Sequence, residues 1–171
     1  MATVLVTGGL GYIGSHTVVC LLEAGHKVIV VDNLVNTNAA VLDGITAITG
    51  KTPEFHPLDL RHSETASWLF SKHPDISAVI HFAAFKAVGE SVEKPLDYYQ
   101  NNLNTLVYLL QEVVKRPIAF IFSSSCTVYG QALELPILET APVLKAMSPY
   151  GNTKQIGEEI LQDSCCAYPH L

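Results

Sequence analysis

Apolar residues along this chain fall into two alternating patterns. Short unbroken runs, such as Val4-Leu5-Val6, Val28-Ile29-Val30-Val31, Ala78-Val79-Ile80 and Ile118-Ala119-Phe120-Ile121-Phe122, are separated by longer stretches in which apolar positions recur every three or four residues. The short runs, bounded by turn residues, read as buried strands, and the longer periodicity reads as amphipathic helix. The pattern predicts strands at 4–7, 27–31, 77–82 and 118–122, with a shorter extended piece at 53–57. Helices are predicted at 12–24, 39–49, 63–72, 95–115 and from 149 onward. Within 12–24 the expected inner face is Ile13, Thr17, Cys20, Leu21 and Ala24; within 95–115 it is Leu96, Tyr99, Leu103, Leu106, Leu109, Leu110 and Val113. Ser63 is the expected cap of the third helix, and Ser148 followed by Pro149 is the expected start of the last. Strict strand–helix alternation requires parallel pairing through right-handed helical crossovers, so the fold class is α/β, an open doubly wound parallel sheet. No linker or repeat interrupts residues 1–171, which are expected to form one domain.

Composition narrows the field. With 171 residues and 49% hydrophobic content, the chain is long enough and apolar enough for a sizeable core. A formal net charge of -6 gives no attraction for nucleic acid or an anionic membrane surface. No apolar run approaches a membrane span in length, and the expected location is the cytoplasm. The four cysteines show no zinc or secreted-framework spacing, and Cys165-Cys166 is expected to be reduced. The seven histidines form no H-E-x-x-H or related pair, so no metal is expected.

Candidate chemistry begins at the first strand–helix junction. Gly8, Gly9, Gly11 and Gly14 fit overlapping G-x-x-G-x-x-G and G-x-G-x-x-G spacings directly after a strand and at the start of a helix. Glycines there allow a tight turn, close approach of a pyrophosphate to the backbone, and close helix–strand packing, while the helix N-terminus offers free N–H groups to the phosphate. Asp32 ends the second strand 24 residues after Gly8, where an acid accepts ribose hydroxyls. No Lys or Arg lies in 33–50 to receive a 2′-phosphate, which favours NAD over NADP. A P-loop does not fit, because Ser15-His16 stands where Lys is required.

Other residues carry two readings each. Asp59 is either an adenine acceptor or a solvated loop acid. His81, inside an apolar run, reads as a hydrogen-bonded core histidine. Lys86 is either a ligand-binding cation or a solvated loop lysine. Asn101, Asn102 and Asn104 are poor residues for a long helix, either solvated or turned toward a loop or cofactor. Tyr150 and Lys154 lie four apart on one helix face. A free tyrosine of pKa about 10 is ionised in roughly one molecule per thousand at pH 7. A nearby ammonium and a nicotinamide cation favour the phenolate, which makes Tyr150 a general base, with Ser125 placed to steady the same proton transfer.

Thr7-Gly8-x-x-Gly11-x-x-Gly14, Ser123-Ser124-Ser125 and Tyr150-x-x-x-Lys154 together resemble the extended short-chain dehydrogenase/reductase family, whose cofactor domain is the NAD-binding Rossmann fold. Asp32-Asn33-Leu34, the block from His81 to Ser91, and Ser148-Pro149-Tyr150-Gly151 resemble its nucleotide-sugar 4-epimerase branch. Cys126-Thr127 departs from the Asp-Glu pair of the related 4,6-dehydratases, and Ala84-Phe85 departs from a usual Gly-Leu.

The resemblance implies UDP-glucose and UDP-galactose as substrates, interconverted through a 4-keto sugar with transient hydride transfer to bound NAD, in a homodimer. It assigns catalysis to Ser125, Tyr150 and Lys154, and substrate contacts to Lys86, Ser125 and Tyr150. Gly8, Gly11, Tyr12 and Ile13 are assigned to the pyrophosphate. Asp32, Asn33, Leu34, Asn36 and Thr37 are assigned to the ribose, and Asp59 and Leu60 to adenine. Phe82, Ala83, Ala84, Lys86 and Asn101, with Tyr150 and Lys154, line the remaining cofactor. Family members continue beyond the Tyr/Lys helix into a substrate-binding region. The chain is therefore expected to be the cofactor half, with its C-terminal substrate domain absent and apolar surface left open beside the fifth strand; the alternative readings are another nucleotide-sugar epimerase or oxidoreductase of the extended family, and a non-catalytic NAD-binding fragment.

Overall fold

The computed structural model describes residues 1–132 and 134–171. In order, the chain forms β1 (Thr3–Thr7), α1 (Tyr12–Glu23), β2 (Lys27–Val31), α2 (Val41–Thr49), β3 (Glu54–His56), α3 (Ser63–Lys72), β4 (Ile76–His81), α4 (Val88–Glu93), α5 (Pro95–Val113), β5 (Ala119–Phe122) and α6 (Pro149–Ala167). The strands make one sheet in the order β3-β2-β1-β4-β5, and every pair is parallel. The sequence expectation of a doubly wound parallel sheet holds.

Side-chain alternation splits the core in two. Val4, Val6, Val28 and Val30 cluster with Val18 and Leu22 of α1 and Ile45 of α2. Leu5, Ile29, Val31 and Val79 point the opposite way and cluster with Leu69 and Phe70 of α3 and Leu109 and Val113 of α5. Each such side chain, fully buried, contributes about 1.5–3 kcal/mol of hydrophobic stabilisation. Coverage is uneven, because Ile121 of β5, paired in register with Ile80, remains 57% exposed. Among the described residues no helix is long and apolar enough to cross a membrane.

Two helix faces differ from the periodicity reading. The buried stripe of α1 is Gly14, Val18 and Leu22, whereas Ile13 is 61% exposed and Cys20 is exposed. Gly14 decides this: a Cβ there would lie 2.2 Å from the Gly8 carbonyl oxygen, so α1 touches the turn after β1 at that residue and its inner stripe must contain it. In α5 the buried positions are Tyr98, Asn101, Asn102, Thr105, Leu106, Leu109, Leu110 and Val113, while Leu96 is 79% exposed. The first half of α5 buries polar groups because it lies beside loop backbone that needs hydrogen-bond partners.

Smaller differences follow the same logic. His62, not Ser63, is the cap residue of α3, and the Ser63 hydroxyl bonds Glu64. One helix beyond those predicted forms after β4, the short α4 over Val88–Glu93. At the last helix the expectation holds: Ser148 Oγ accepts from Gly151 N–H at 3.1 Å, with Pro149 as the first helical residue.

Candidate active site

In the observed strand order the chain reverses direction across the sheet between β1 and β4, and crevices in open α/β sheets form at the carboxyl ends of strands at such a reversal. A cleft of about 500 Å³ lies there.

One wall of it is backbone. Gly8 has φ +66°, and a Cβ on it would sit 2.7 Å from the Ala83 nitrogen, so the turn after β1 presses directly on the turn after β4. Gly11 N–H donates to Gly8 O at 3.1 Å, and Ser15 N–H makes the first helical bond, to Gly11 O at 2.8 Å. The N–H groups of Tyr12, Ile13 and Gly14 therefore have no partner one turn back in the helix. All three residues line the cleft, which places the positive end of the α1 dipole there and makes a ready site for an anion.

Asp32 closes that wall. Its carboxylate is 7% exposed and accepts from Leu10 N–H at 3.2 Å, Leu34 N–H at 3.0 Å and the Thr37 hydroxyl at 2.7 Å. An ionised carboxylate has about four acceptor positions, so these three donors leave room for one more. Asp32 thus ties the glycine turn to the following loop as well as facing the cleft. Asp59, on the cleft floor, is gripped by the Arg61 guanidinium, with contacts of 3.0 Å to each oxygen from Nε and 2.6 Å from Nη2. That grip holds the Asp59 carboxyl below the usual carboxylate range despite partial burial, with help from the Arg61 N–H and from Asn33.

Side chains from α5 fix the loop after β4. Asn102 Oδ1 accepts from Phe85 N–H at 2.8 Å, and its amide donates to Phe85 O and Thr153 Oγ1, both at 3.0 Å. Asn101 donates to Asn102 at 2.8 Å and lines the cleft. Tyr98 accepts from Ala87 N–H at 3.1 Å and donates to Glu90 at 2.9 Å. Burial and then the Glu90 carboxylate push the Tyr98 phenol up to about 12, so it stays neutral as a strut. His81 shares a 2.7 Å hydrogen bond with Thr7, and burial, then the nearby Lys154 charge, pushes its pKa down to about 3. It is a neutral core histidine, as its apolar surroundings in the sequence imply.

The opposite end of the cleft is made of side chains. Lys154 is 5% exposed; its ammonium donates to Ser123 O at 2.7 Å and lies 4.6 Å from the Phe122 ring centroid. Burial lowers its pKa to about 8. Close packing of α6 on β5 requires Gly157, where a Cβ would meet Phe122 at 2.7 Å. The three serines divide their tasks. The Ser123 carbonyl accepts from Lys154, the Ser124 hydroxyl donates to Glu158, and Ser125 Oγ accepts from Thr127 N–H at 3.3 Å and the Thr127 hydroxyl at 3.0 Å. With its lone pairs occupied, Ser125 keeps its own O–H to offer to the cleft, which it lines together with Tyr150. A phenol, a hydroxyl donor and a buried ammonium on one wall can move and hold a proton.

The structure brings together nearly every site residue expected from the sequence. Gly8, Gly11, Tyr12, Ile13, Asp32, Asn33, Asn36, Thr37, Asp59, Leu60, Phe82, Ala83, Ala84, Lys86, Asn101, Ser125, Tyr150 and Lys154 all line the one cleft. Leu34 stands apart: its side chain packs on the apolar cluster beneath α1, and its N–H is spent on Asp32. Of the two readings of Asn102, solvated or turned toward a loop or cofactor, the structure shows the turn to the Phe85 loop; sequence reasoning misses Tyr98 and Thr153 beside it.

The profile of the NAD dependent epimerase/dehydratase family matches residues 4–170. The chain is 49% identical over 167 residues to UDP-glucose 4-epimerase of Yersinia pestis, covering 97% of this chain and 49% of that protein. It is 46% identical to the UDP-glucose 4-epimerase of Dictyostelium discoideum, covering 97% of this chain and 48% of that one. The crystal structure of UDP-glucose 4-epimerase from Bifidobacterium longum in complex with NAD+ and UDP superposes with a TM-score of 0.94 at 45% identity, covering 98% of this chain and 50% of that chain. The chain spans about half the length of the curated relatives it matches.

Proposed function

The chain belongs to the NAD dependent epimerase/dehydratase family, and from that membership we propose that it forms the NAD-binding and proton-handling half of a UDP-glucose 4-epimerase. The observation that carries the proposal is that Ser125, Tyr150 and Lys154 share one cleft with the glycine turn and Asp32. NAD fits the residues present. Backbone packed closely at Gly8 and Gly14 sets the free N–H groups of the α1 start on the cleft wall, and Asp32 retains one acceptor position with no Lys or Arg in 33–50.

In this reading the N–H groups of Tyr12 and Ile13 meet the pyrophosphate, and Asp32, with Asn33, Asn36 and Thr37, meets the adenosine ribose. Asp59 and Leu60 face adenine. Phe82, Ala83, Ala84, Lys86 and Asn101 line the path toward the reactive end. NAD, when bound, supplies a hydride acceptor that returns what it takes within the same cycle. Tyr150 removes the proton from the sugar 4′-hydroxyl and later restores it. Ser125, oriented by Thr127, donates its free O–H to the same oxygen and holds it in line. Lys154, which lines the same cleft, is assigned a contact to the cofactor. Lys86 is assigned a contact to the sugar nucleotide.

The same reading carries UDP-glucose and UDP-galactose as substrates, a homodimeric state, and a cytoplasmic place in galactose metabolism. It is tested by coupled assay of UDP-galactose turnover. Turnover should fall by about 100-fold or more in Tyr150→Phe, the usual size of a lost acid–base group. Undiminished turnover in that variant rejects the assignment.

A further inference from the structure

At the sheet edge formed by β3, three ligand-type side chains converge that the cleft does not use. Glu54 and His56 stand two apart on β3, and His73 is the residue after α3. The two histidines are 17 residues apart in sequence, outside any local metal spacing, so only the fold reveals the cluster.

The Nε2 atoms of His56 and His73 lie 3.1 Å apart. Glu54 Oε1 is 3.2 Å from the first and 3.5 Å from the second. The imidazoles are 10% and 7% exposed and Glu54 is 39% exposed, so the cluster is enclosed on the protein side and open through the carboxylate.

Protons can bridge this triangle only edge by edge. With one Nε2–H, a single edge holds a hydrogen bond and lone pairs oppose across another. With both protonated, two N–H groups point to Glu54 and face each other across the 3.1 Å edge. A single cation joins all three atoms at once. Ligands at about 2.0–2.1 Å from a tetrahedral zinc ion stand about 3.3–3.4 Å from each other, and the observed edges of 3.1, 3.2 and 3.5 Å bracket that figure.

We propose that Glu54, His56 and His73 form a three-ligand site for a divalent transition-metal ion of the zinc class, with a fourth position open to water. Two imidazoles and a carboxylate are a donor set such ions take. Lys72 is the nearest competing charge, with Nζ 3.8 Å from Glu54 and 4.7 Å from the Trp68 ring centroid. Its side chain is 44% exposed and can swing to solvent when an ion enters. The site reaches the cleft through the backbone, because the His56 carbonyl accepts from Asp32 N–H at 3.3 Å and Leu58 N–H at 2.9 Å. An ion there braces the strand on which Asp32 and the Asp59 floor are hung.

Trp68 is the single tryptophan of the chain, and its ring packs edge-on against His56 with centroids 5.4 Å apart. That gives a direct readout. Co²⁺ is titrated into metal-free protein carrying Cys20→Ser, Cys126→Ser, Cys165→Ser and Cys166→Ser, which removes the exposed thiols. The proposal predicts saturable quenching of Trp68 emission at one ion per chain, reversed by Zn²⁺ or chelator. Affinity should drop tenfold or more in both Glu54→Gln and His73→Gln, with circular dichroism verifying that each variant is folded. Because Glu54 is partly exposed, Glu54→Gln keeps the test valid should His73→Gln not fold. Absence of saturable quenching, or quenching unchanged in folded Glu54→Gln, overturns it.

Discussion

The two ends of the cleft are built by different means. The end at α1 is made of backbone: glycines, a helix N-terminus, and an Asp32 held by two N–H groups and one hydroxyl. The end at α6 is made of side chains from elements far apart in sequence, with Lys154 reaching Ser123 and Asn102 reaching Phe85 and Thr153. The first tolerates no added atoms, and the second tolerates no lost hydrogen bonds. That difference sets what each substitution should do.

The largest effect is expected at the backbone end. Gly14→Val forces a branched side chain where even a Cβ would lie 2.2 Å from the Gly8 carbonyl oxygen. Neither partner is a flexible side chain, so the loss should exceed about 3 kcal/mol, at the top of the overpacking range. A thermal melt checks this, and a well-folded Gly14→Val would show that the two elements can separate without cost.

Lys154 sharpens the contrast at the other end. Its pKa is lowered to about 8 by burial, whereas in the unfolded chain it keeps the ordinary 10.5. Below pH 8 both states hold the proton and the folded state bears the full cost of the buried charge. Between pH 8 and 10.5 the unfolded state binds more protons, so this contribution to stability rises with pH. The stability of the wild type relative to Lys154→Met should therefore increase by about 3 kcal/mol from pH 7 to above 10.5. Denaturant titrations of both proteins at paired pH values measure it. A difference that is flat with pH would mean that Lys154 is not desolvated. On the proposed function the cofactor contact runs the opposite way, and NAD affinity should weaken as pH rises through 8.

Asn102→Ala gives a smaller effect of a different kind. It leaves the Phe85 N–H and carbonyl without their partner, at a cost of about 2 kcal/mol. Hydrogen exchange should rise in the segment after β4 while the turn around Gly8 and Gly11 stays protected. Equal loosening of both ends would erase the distinction between them.

The same contrast governs what could be read in the sequence. The glycine turn, Asp32 and the Ser148 cap are local signals, each carried by a few adjacent residues, and the parallel sheet follows from the order in which local strand and helix segments alternate. Helix faces are not local. In α1 two apolar stripes compete, and Gly14 decides between them by contact with Gly8, 6 residues earlier, which periodicity ignores. In α5 a polar inner face is indistinguishable from a solvated one until the Phe85 loop is seen beside it. Cys20 illustrates the result, since it moves from an expected core position to the surface when the stripe rotates. The Glu54, His56 and His73 cluster joins a strand to a helix end and leaves no spacing to detect.

Quantitation of NAD released from purified protein tests the central claim most directly, comparing wild type with Asp32→Ala and Lys154→Met. The account predicts about one NAD per wild-type chain, with occupancy lowered by either change because the ligand spans both ends of the cleft. Folded wild-type protein that neither retains NAD nor takes it up when supplied would contradict it.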